Sequence, residues 1–289
     1  MSTHSTLSDM SAKIIKIRSE TDDIQHAKAL SRNRSKRQEH RVFFVEGVQT
    51  IKEALVHGWK AKAIYYAGDQ ELSSFSRAVL QQSNADKHFE LPTRLFHDLR
   101  WASKMEKRSE LIALFRMPED KLNRIPIHKD ALIMVFDRPA NHGNLGTVIR
   151  TCEAFKVDGL VITGHAVDLY DPQTIRSSMS SLFSFPIIRL PSHKDLYEWF
   201  EKIREVHPGF SVTGSSAHGE QDLRTMDLTR PRVLVIGNET EGLSANYKAL
   251  CDDIVRIPIS GSVTSLNVGT AAAIILYQAA GNSASTHIG

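Results

Sequence analysis

Apolar residues in this chain gather into short runs, and the character of the runs changes once. In the second half they are nearly continuous, at 132–136, 160–163, 187–190, 210–213, 233–236 and 254–257. Strands that are apolar on both faces belong in a parallel sheet covered on both sides. Helical stretches separate most of these runs, as right-handed crossovers require. Residues 130–289 therefore predict an α/β domain with a six-stranded parallel sheet. The first half reads differently. A helical pattern runs to about Leu30, and a basic stretch leads into an abrupt apolar strand at 42–45. Gly47 breaks that strand ahead of an amphipathic helix at 48–56. Strands at 61–66, 88–91 and 111–115 alternate with helices at 72–82 and from Thr93. This alternation predicts a smaller α/β domain over 13–116. Pro118, Pro126 and several charges mark 117–129 as a linker. The Ser- and Thr-rich residues 1–12 predict disorder.

Composition adds bounds rather than an identity. A chain of 289 residues holds one large or two ordinary domains, and 41% hydrophobic residues suffice for a core without staples. The net charge of +3 excludes a polycation. The charge is unevenly placed, however. Lys28, Arg32, Arg34, Lys36, Arg37 and Arg41 face only Glu39 within 28–41. Such a local excess attracts phosphate backbones, although many charge runs are simply solvated helix faces. Cys152 and Cys251 lie in predicted helices and suggest neither a disulfide framework nor a metal site. The histidines likewise show no metal spacing. No apolar run approaches the roughly 20 residues that span a bilayer, and the N-terminus lacks a signal pattern. The expectation is a soluble, cytoplasmic protein.

Candidate chemistry sits at three predicted strand ends, where open α/β sheets build ligand sites. The first is turn-rich, Asp137-Arg-Pro-Ala-Asn-His-Gly143, followed by Asn144-Leu-Gly-Thr-Val-Ile-Arg150. Asn144 is read as a helix cap, and Arg150 falls in the second turn, where a surface salt bridge is the plainer reading. The second is Gly237-Asn-Glu-Thr-Glu-Gly-Leu-Ser244. Its glycines permit a tight loop that offers backbone groups to an adenosine or a carboxylate. Glu239 stands at its apex, and Ser244 is placed to cap the next helix. The loop lacks the Gly-Lys-Ser/Thr ending of a phosphate-binding P-loop and is no dinucleotide fingerprint. In the third, Pro258 ends a strand and Ser265-Leu-Asn267 opens a small-residue helix from Val268.

In order and spacing these stretches resemble motifs 1, 2 and 3 of the SpoU/TrmH branch of the SPOUT methyltransferases, over about 150 residues. Phe44-Val-Glu-Gly-Val48 resembles the opening of that family's small substrate-binding domain, which is similar to a ribosomal protein fold. The wording at Asp137-Arg-Pro, Tyr170-Asp-Pro-Gln, Ser181-Leu-Phe-Ser and Gly237-Asn-Glu-Thr is similar to family members acting on 23S ribosomal RNA.

The resemblance implies a deep trefoil knot, S-adenosylmethionine as cofactor, and methyl transfer to an RNA ribose 2′-hydroxyl. It implies cofactor contacts at Gly237, Asn238, Glu239, Gly242, Ile257, Leu266 and Asn267. Arg150, Asn144, Glu239, Ser265 and Asn267 would form the catalytic set. It also implies a homodimer, with Arg150 working near the partner's cofactor. Arg150 either activates the hydroxyl or stabilises its oxyanion while a substrate phosphate takes the proton. RNA phosphate contacts are expected at Arg32, Arg34, Lys36, Arg37 and Arg41. No metal and no membrane partner is expected. The competing readings are a transfer RNA methyltransferase and a non-catalytic RNA-binding or ribosome-assembly protein.

Overall fold

The computed structural model describes residues 13–101, 109–228 and 231–284; the expected disordered lead, 1–12, lies outside the described residues. The chain divides after Met117 into two compact units.

The first unit holds strands β1 (Lys13–Lys16), β2 (Val42–Glu46), β3 (Ala61–Ala67), β4 (Lys87–Leu91) and β5 (Ile112–Arg116). Its helices are α1 (Asp22–Arg32), α2 (Arg34–His40), α3 (Val48–Val56), α4 (Ser74–Gln82) and α5 (Thr93–Leu99). The sheet order is β1-β4-β3-β5-β2. The three strands β1, β4 and β3 run parallel, while β5 is antiparallel to β3 and β2.

The sequence pattern is corrected at the start of this unit. Lys13–Lys16 is an edge strand paired to β4, not the beginning of a helix. The helix begins after Thr21, where Asp22 and Asp23 favour the positive end of its dipole. Ile24, Ala27 and Leu30 then line one face at helical spacing and are fully buried. The basic stretch is two helices broken at Asn33, whose side chain accepts from the Lys36 N–H at 3.1 Å and caps α2. Tyr65 and Phe89 stack with centroids 4.8 Å apart in the core beneath α1.

The second unit holds β6 (Leu132–Asp137), β7 (Gly159–Thr163), β8 (Ile187–Leu190), β9 (Ser211–Ser215), β10 (Gln221–Asp222), β11 (Arg232–Ile236) and β12 (Asp253–Arg256). Helices α6 (His142–Ala154), α7 (Pro172–Ser177), α8 (Lys194–Val206), α9 (Ala245–Leu250) and α10 (Val268–Ala284) connect or follow them. The order is β10-β12-β9-β11-β6-β7-β8, and every pair is parallel. The six expected strands are present, joined by the two-residue edge strand β10, which is too short to leave a period in the sequence. Strand interiors are buried on both faces, as their unbroken apolar runs require. Ile133, Val135 and Val235 pack under Leu196 and Phe200 of α8 and Tyr247 of α9. α6 and α10 pack against each other.

Residues 118–129 do not behave as a free linker. Ile125 is buried in this core, and a Cβ on Gly159 would lie 2.6 Å from it. Asp120 takes the guanidinium of Arg189, with Nη2 at 2.6 Å. The segment is apolar at Leu122, Ile125 and Ile127, too sparsely for any periodicity to announce packing.

The strand order has one consequence for function. From β6 the chain moves outward to β7 and β8, then crosses to build β9 and β11 on β6's other side. The carboxyl ends of β6 and β11 therefore meet at a topological switch point, the place such sheets use for ligands.

Candidate active site

Glu239 is the hub of this switch point. Its carboxylate accepts from the Ala140 N–H at 2.9 Å, the Asn141 N–H at 3.2 Å and the Asn144 side-chain amide at 3.2 Å. The loop after β11 is thereby fastened to the loop after β6. Asn267 closes the set: its Nδ2 donates to Asn144 Oδ1 at 2.9 Å, while its Oδ1 accepts from the Gly269 N–H and opens α10. One chain of hydrogen bonds thus joins all three motifs through Asn267, Asn144 and Glu239.

Two capping expectations change. Asn141, not Asn144, caps α6, accepting from the Asn144 N–H at 3.1 Å. Asn144 is left in the first turn with its side chain available to Glu239. Ser244 precedes α9 but makes no side-chain cap; its N–H donates to Asp137 Oδ2 at 3.3 Å.

The loop after β11 is held from within. Asn238 and Gly242 exchange backbone hydrogen bonds at 3.1 and 2.9 Å, and Asn238 Oδ1 accepts from the N–H groups of Thr240 and Glu241. Asn238 Nδ2 donates to the Arg138 carbonyl at 2.7 Å. Gly242 takes φ +68, a conformation costly for side-chain-bearing residues. Gly237 is required for a different reason. A Cβ there would lie 2.1 Å from the Gly242 carbonyl carbon and 2.2 Å from Leu243 N. Arg138 braces the rim, pairing with Asp137 at 3.2 Å and with Glu241. Hydrogen bonds to those two carboxylates, Asp137 first, push its guanidinium pKa up. Arg138 and Glu241 were not singled out by the sequence, because an ion pair across 103 residues leaves no local trace.

Below this lattice lies a cavity of about 320 Å³. Gly237, Asn238, Glu239, Gly242, Ile257 and Leu266, six of the seven residues read as cofactor contacts, line it, and so does Ser265. Asn267 and Asn144 stand beside it in the hydrogen-bond chain but are not among its lining residues. Ser215, Ser216, His218 and Lys248 also line it and were missed. The sequence signal for the two serines is that Gly214-Ser-Ser216 directly follows a predicted strand.

Arg150 does not join this cluster within its own chain. Gly146 packs on Ser177 of α7, and Thr147 on Gly269 of α10. Arg150, three and four residues on, emerges from the seam between those helices, exposed and without a polar partner among the described residues. It lies about 9 Å further along the helix axis than Asn144.

In the first unit Arg32, Arg34, Lys36 and Arg41 are exposed, with Lys36 pairing to Glu39 at 2.9 Å. Arg37 is a correction. It is 1% exposed, and its Nη1 donates to the Leu30 carbonyl at 2.7 Å, so it holds α2 to α1 rather than facing phosphate. Among the described residues no group of three or more potential ligands could hold a metal ion. No helix is long and apolar enough to cross a membrane among those residues. Both cysteines are free, and burial pushes the thiol pKa up at each, to about 12 for Cys251.

Comparison with known proteins adds the family. Residues 131–277 match the SpoU rRNA Methylase family, and 22–113 match the SpoU L30e-like domain. The chain is 40% identical over 264 residues to a 23S rRNA (uridine(2479)-2'-O)-methyltransferase of Streptomyces viridochromogenes, covering 91% of each. It is 27% identical over 241 residues to the 23S rRNA (guanosine(2553)-2'-O)-methyltransferase RlmP of Bacillus subtilis, covering 83% of this chain and 88% of that one. Among solved structures, it is similar to the SpoU methyltransferase AviRb of S. viridochromogenes in complex with AdoMet. That match has a TM-score of 0.87 and 39% identity, and covers 92% of this chain and 99% of the other.

Proposed function

The chain belongs to the SpoU rRNA methylase family, and on that premise we propose that it methylates a ribose 2′-hydroxyl of 23S ribosomal RNA using S-adenosylmethionine. The observation that carries this reading is the cavity at the sheet's switch point, lined by Glu239, which the hydrogen-bond chain Asn267–Asn144–Glu239 ties to the other two motifs. The cofactor's chemistry fits the residues present. The cavity volume is within the roughly 300–1,000 Å³ of small-molecule sites. Gly237, Ile257 and Leu266 bring backbone and apolar surface to it, and Gly237 has no room for a side chain.

When bound, S-adenosylmethionine supplies a methyl group made electrophilic by its sulfonium. The protein's own part is orientation and charge. Glu239 already accepts two backbone N–H groups and one amide, which suits it to holding loops rather than to accepting a substrate proton. The Arg150 guanidinium stabilises the oxygen as it gains negative charge, while an RNA phosphate accepts the hydroxyl proton. Ser265, exposed and lining the cavity, orients the ribose.

Arg150's position favours a homodimer in which it serves the partner's cavity. Ile274 and Tyr277 of α10 are exposed, and Tyr277 meets the half-buried Phe155 at the end of α6. These residues extend an apolar seam along α6 and α10. The trefoil knot belongs to the same reading, supported by β11 lying between β9 and β6 and by α10 packing on α6. The first unit binds RNA through Arg32, Arg34, Lys36 and Arg41, and a ribosomal substrate implies the cytoplasm.

The test is incubation with radiolabelled S-adenosylmethionine and, separately, unmodified 23S, 16S and transfer RNA, followed by digestion to nucleosides. A 2′-O-methylated nucleoside from 23S RNA alone is the expected result. Label in transfer RNA overturns the substrate, and cofactor binding without label in any RNA favours a non-catalytic role.

A further inference from the structure

The lining of the cavity is chemically mixed. Ile257, Leu266 and Ala271 bring it apolar surface. Ser215 and Ser216, at the end of β9, and Lys248 of α9 bring it polar groups. α9 is folded down onto that strand end: a Cβ on Gly214 would lie 2.8 Å from both Cys251 Sγ and Leu243 Cδ1. Lys248, one turn before Cys251, lines the same cavity as the two serines.

The charges lining the cavity are not equally available. Glu239 is occupied by the loop after β6, and Glu241 by Arg138. Lys248 is exposed, and its ammonium has no hydrogen bond or ion pair with any described residue. A cation without a partner, beside two hydroxyl donors, matches a carboxylate.

We propose that Lys248, with the Ser215 and Ser216 hydroxyls, binds the α-carboxylate of the cofactor's amino-acid tail, leaving the adenosine to the apolar surface. This rests on the reading of the cavity as the S-adenosylmethionine site. It gives the cavity a direction. Lys248 is a specificity residue here: it distinguishes ligands that carry the tail from those that lack it.

The test uses two thioethers, S-adenosylhomocysteine, which keeps the tail, and 5′-methylthioadenosine, which does not. Their binding to the full-length protein is measured by calorimetry for the wild type, Lys248→Ala and Lys248→Arg. The expected result is a loss of about tenfold in S-adenosylhomocysteine affinity in Lys248→Ala, the scale of one charge-assisted hydrogen bond. Affinity for 5′-methylthioadenosine stays unchanged, and Lys248→Arg retains most of the wild-type preference. An equal loss for both ligands, or no loss for S-adenosylhomocysteine, overturns the assignment of Lys248 and leaves the cofactor reading standing. Failure of the wild type to bind either ligand overturns the cofactor reading and this inference with it.

Discussion

Arg37 and Arg34, three residues apart in one basic helix, have opposite fates. The buried Arg37 guanidinium satisfies the Leu30 carbonyl, whereas Arg34 is exposed. Arg37→Ala should destabilise the protein by about 1–3 kcal/mol, the range for stranding a buried hydrogen-bonding group, seen as a lowered denaturation midpoint. Arg34→Ala should lower the midpoint far less than Arg37→Ala and weaken RNA binding, most clearly at low salt. Gly237→Ala forces its Cβ against the Gly242–Leu243 backbone. Calorimetry should then show S-adenosylmethionine affinity reduced by at least roughly tenfold. Arg150 is the opposite kind of residue, exposed and outside the hydrogen-bond chain. Arg150→Ala should abolish methyl transfer while cofactor affinity stays within about twofold. Loss of both together would make Arg150 structural.

At the level of elements, α6 carries three assignments on three faces. Gly146 meets α7, Thr147 meets α10, and Arg150 leaves through the seam between them. The adjoining Ile274 and Tyr277 are the natural place to test association. Tyr277→Asp should shift the mass in sedimentation from dimer to monomer and reduce methyl transfer at least as far as dimerisation is lost; a dimer that persists would move the interface elsewhere. Elements were legible wherever pattern and backbone chemistry agree. The buried strands of the second unit were, because a run such as Leu132-Ile-Met-Val-Phe136 has no other use. So was the tight loop at Gly237 and Gly242. Lys13–Lys16 was not, since four residues of Lys-Ile-Ile-Lys fit a helix as well as a strand and only β4 decides between them. The cap on α6 was misassigned because Asn141 and Asn144 are both good caps. Their roles separate only when Glu239 arrives from 95 residues away to claim Asn144. Lys248 had no motif at all: its place over β9 depends on how α9 packs.

On the scale of the whole molecule, two units each match a part of the same family, one an L30e-like domain and one a methylase domain. Chemistry is concentrated in the second, at the carboxyl ends of its central strands. The strand order there also bears on how the protein is made. β11 occupies the slot between β6 and β9, yet it is synthesised after both, with almost 100 residues separating it from β6. Until it arrives, β6 and β9 each present an open edge along an apolar strand, and such edges invite pairing with other chains. Contacts so distant in sequence also fold slowly. A nascent chain that has emerged only as far as β9 is thus the form most exposed to aggregation. The cavity cannot exist in it, because Gly237 to Gly242 follow the very strand that closes the gap. Catalytic competence and protection from aggregation both therefore wait on the part of the chain made after β9.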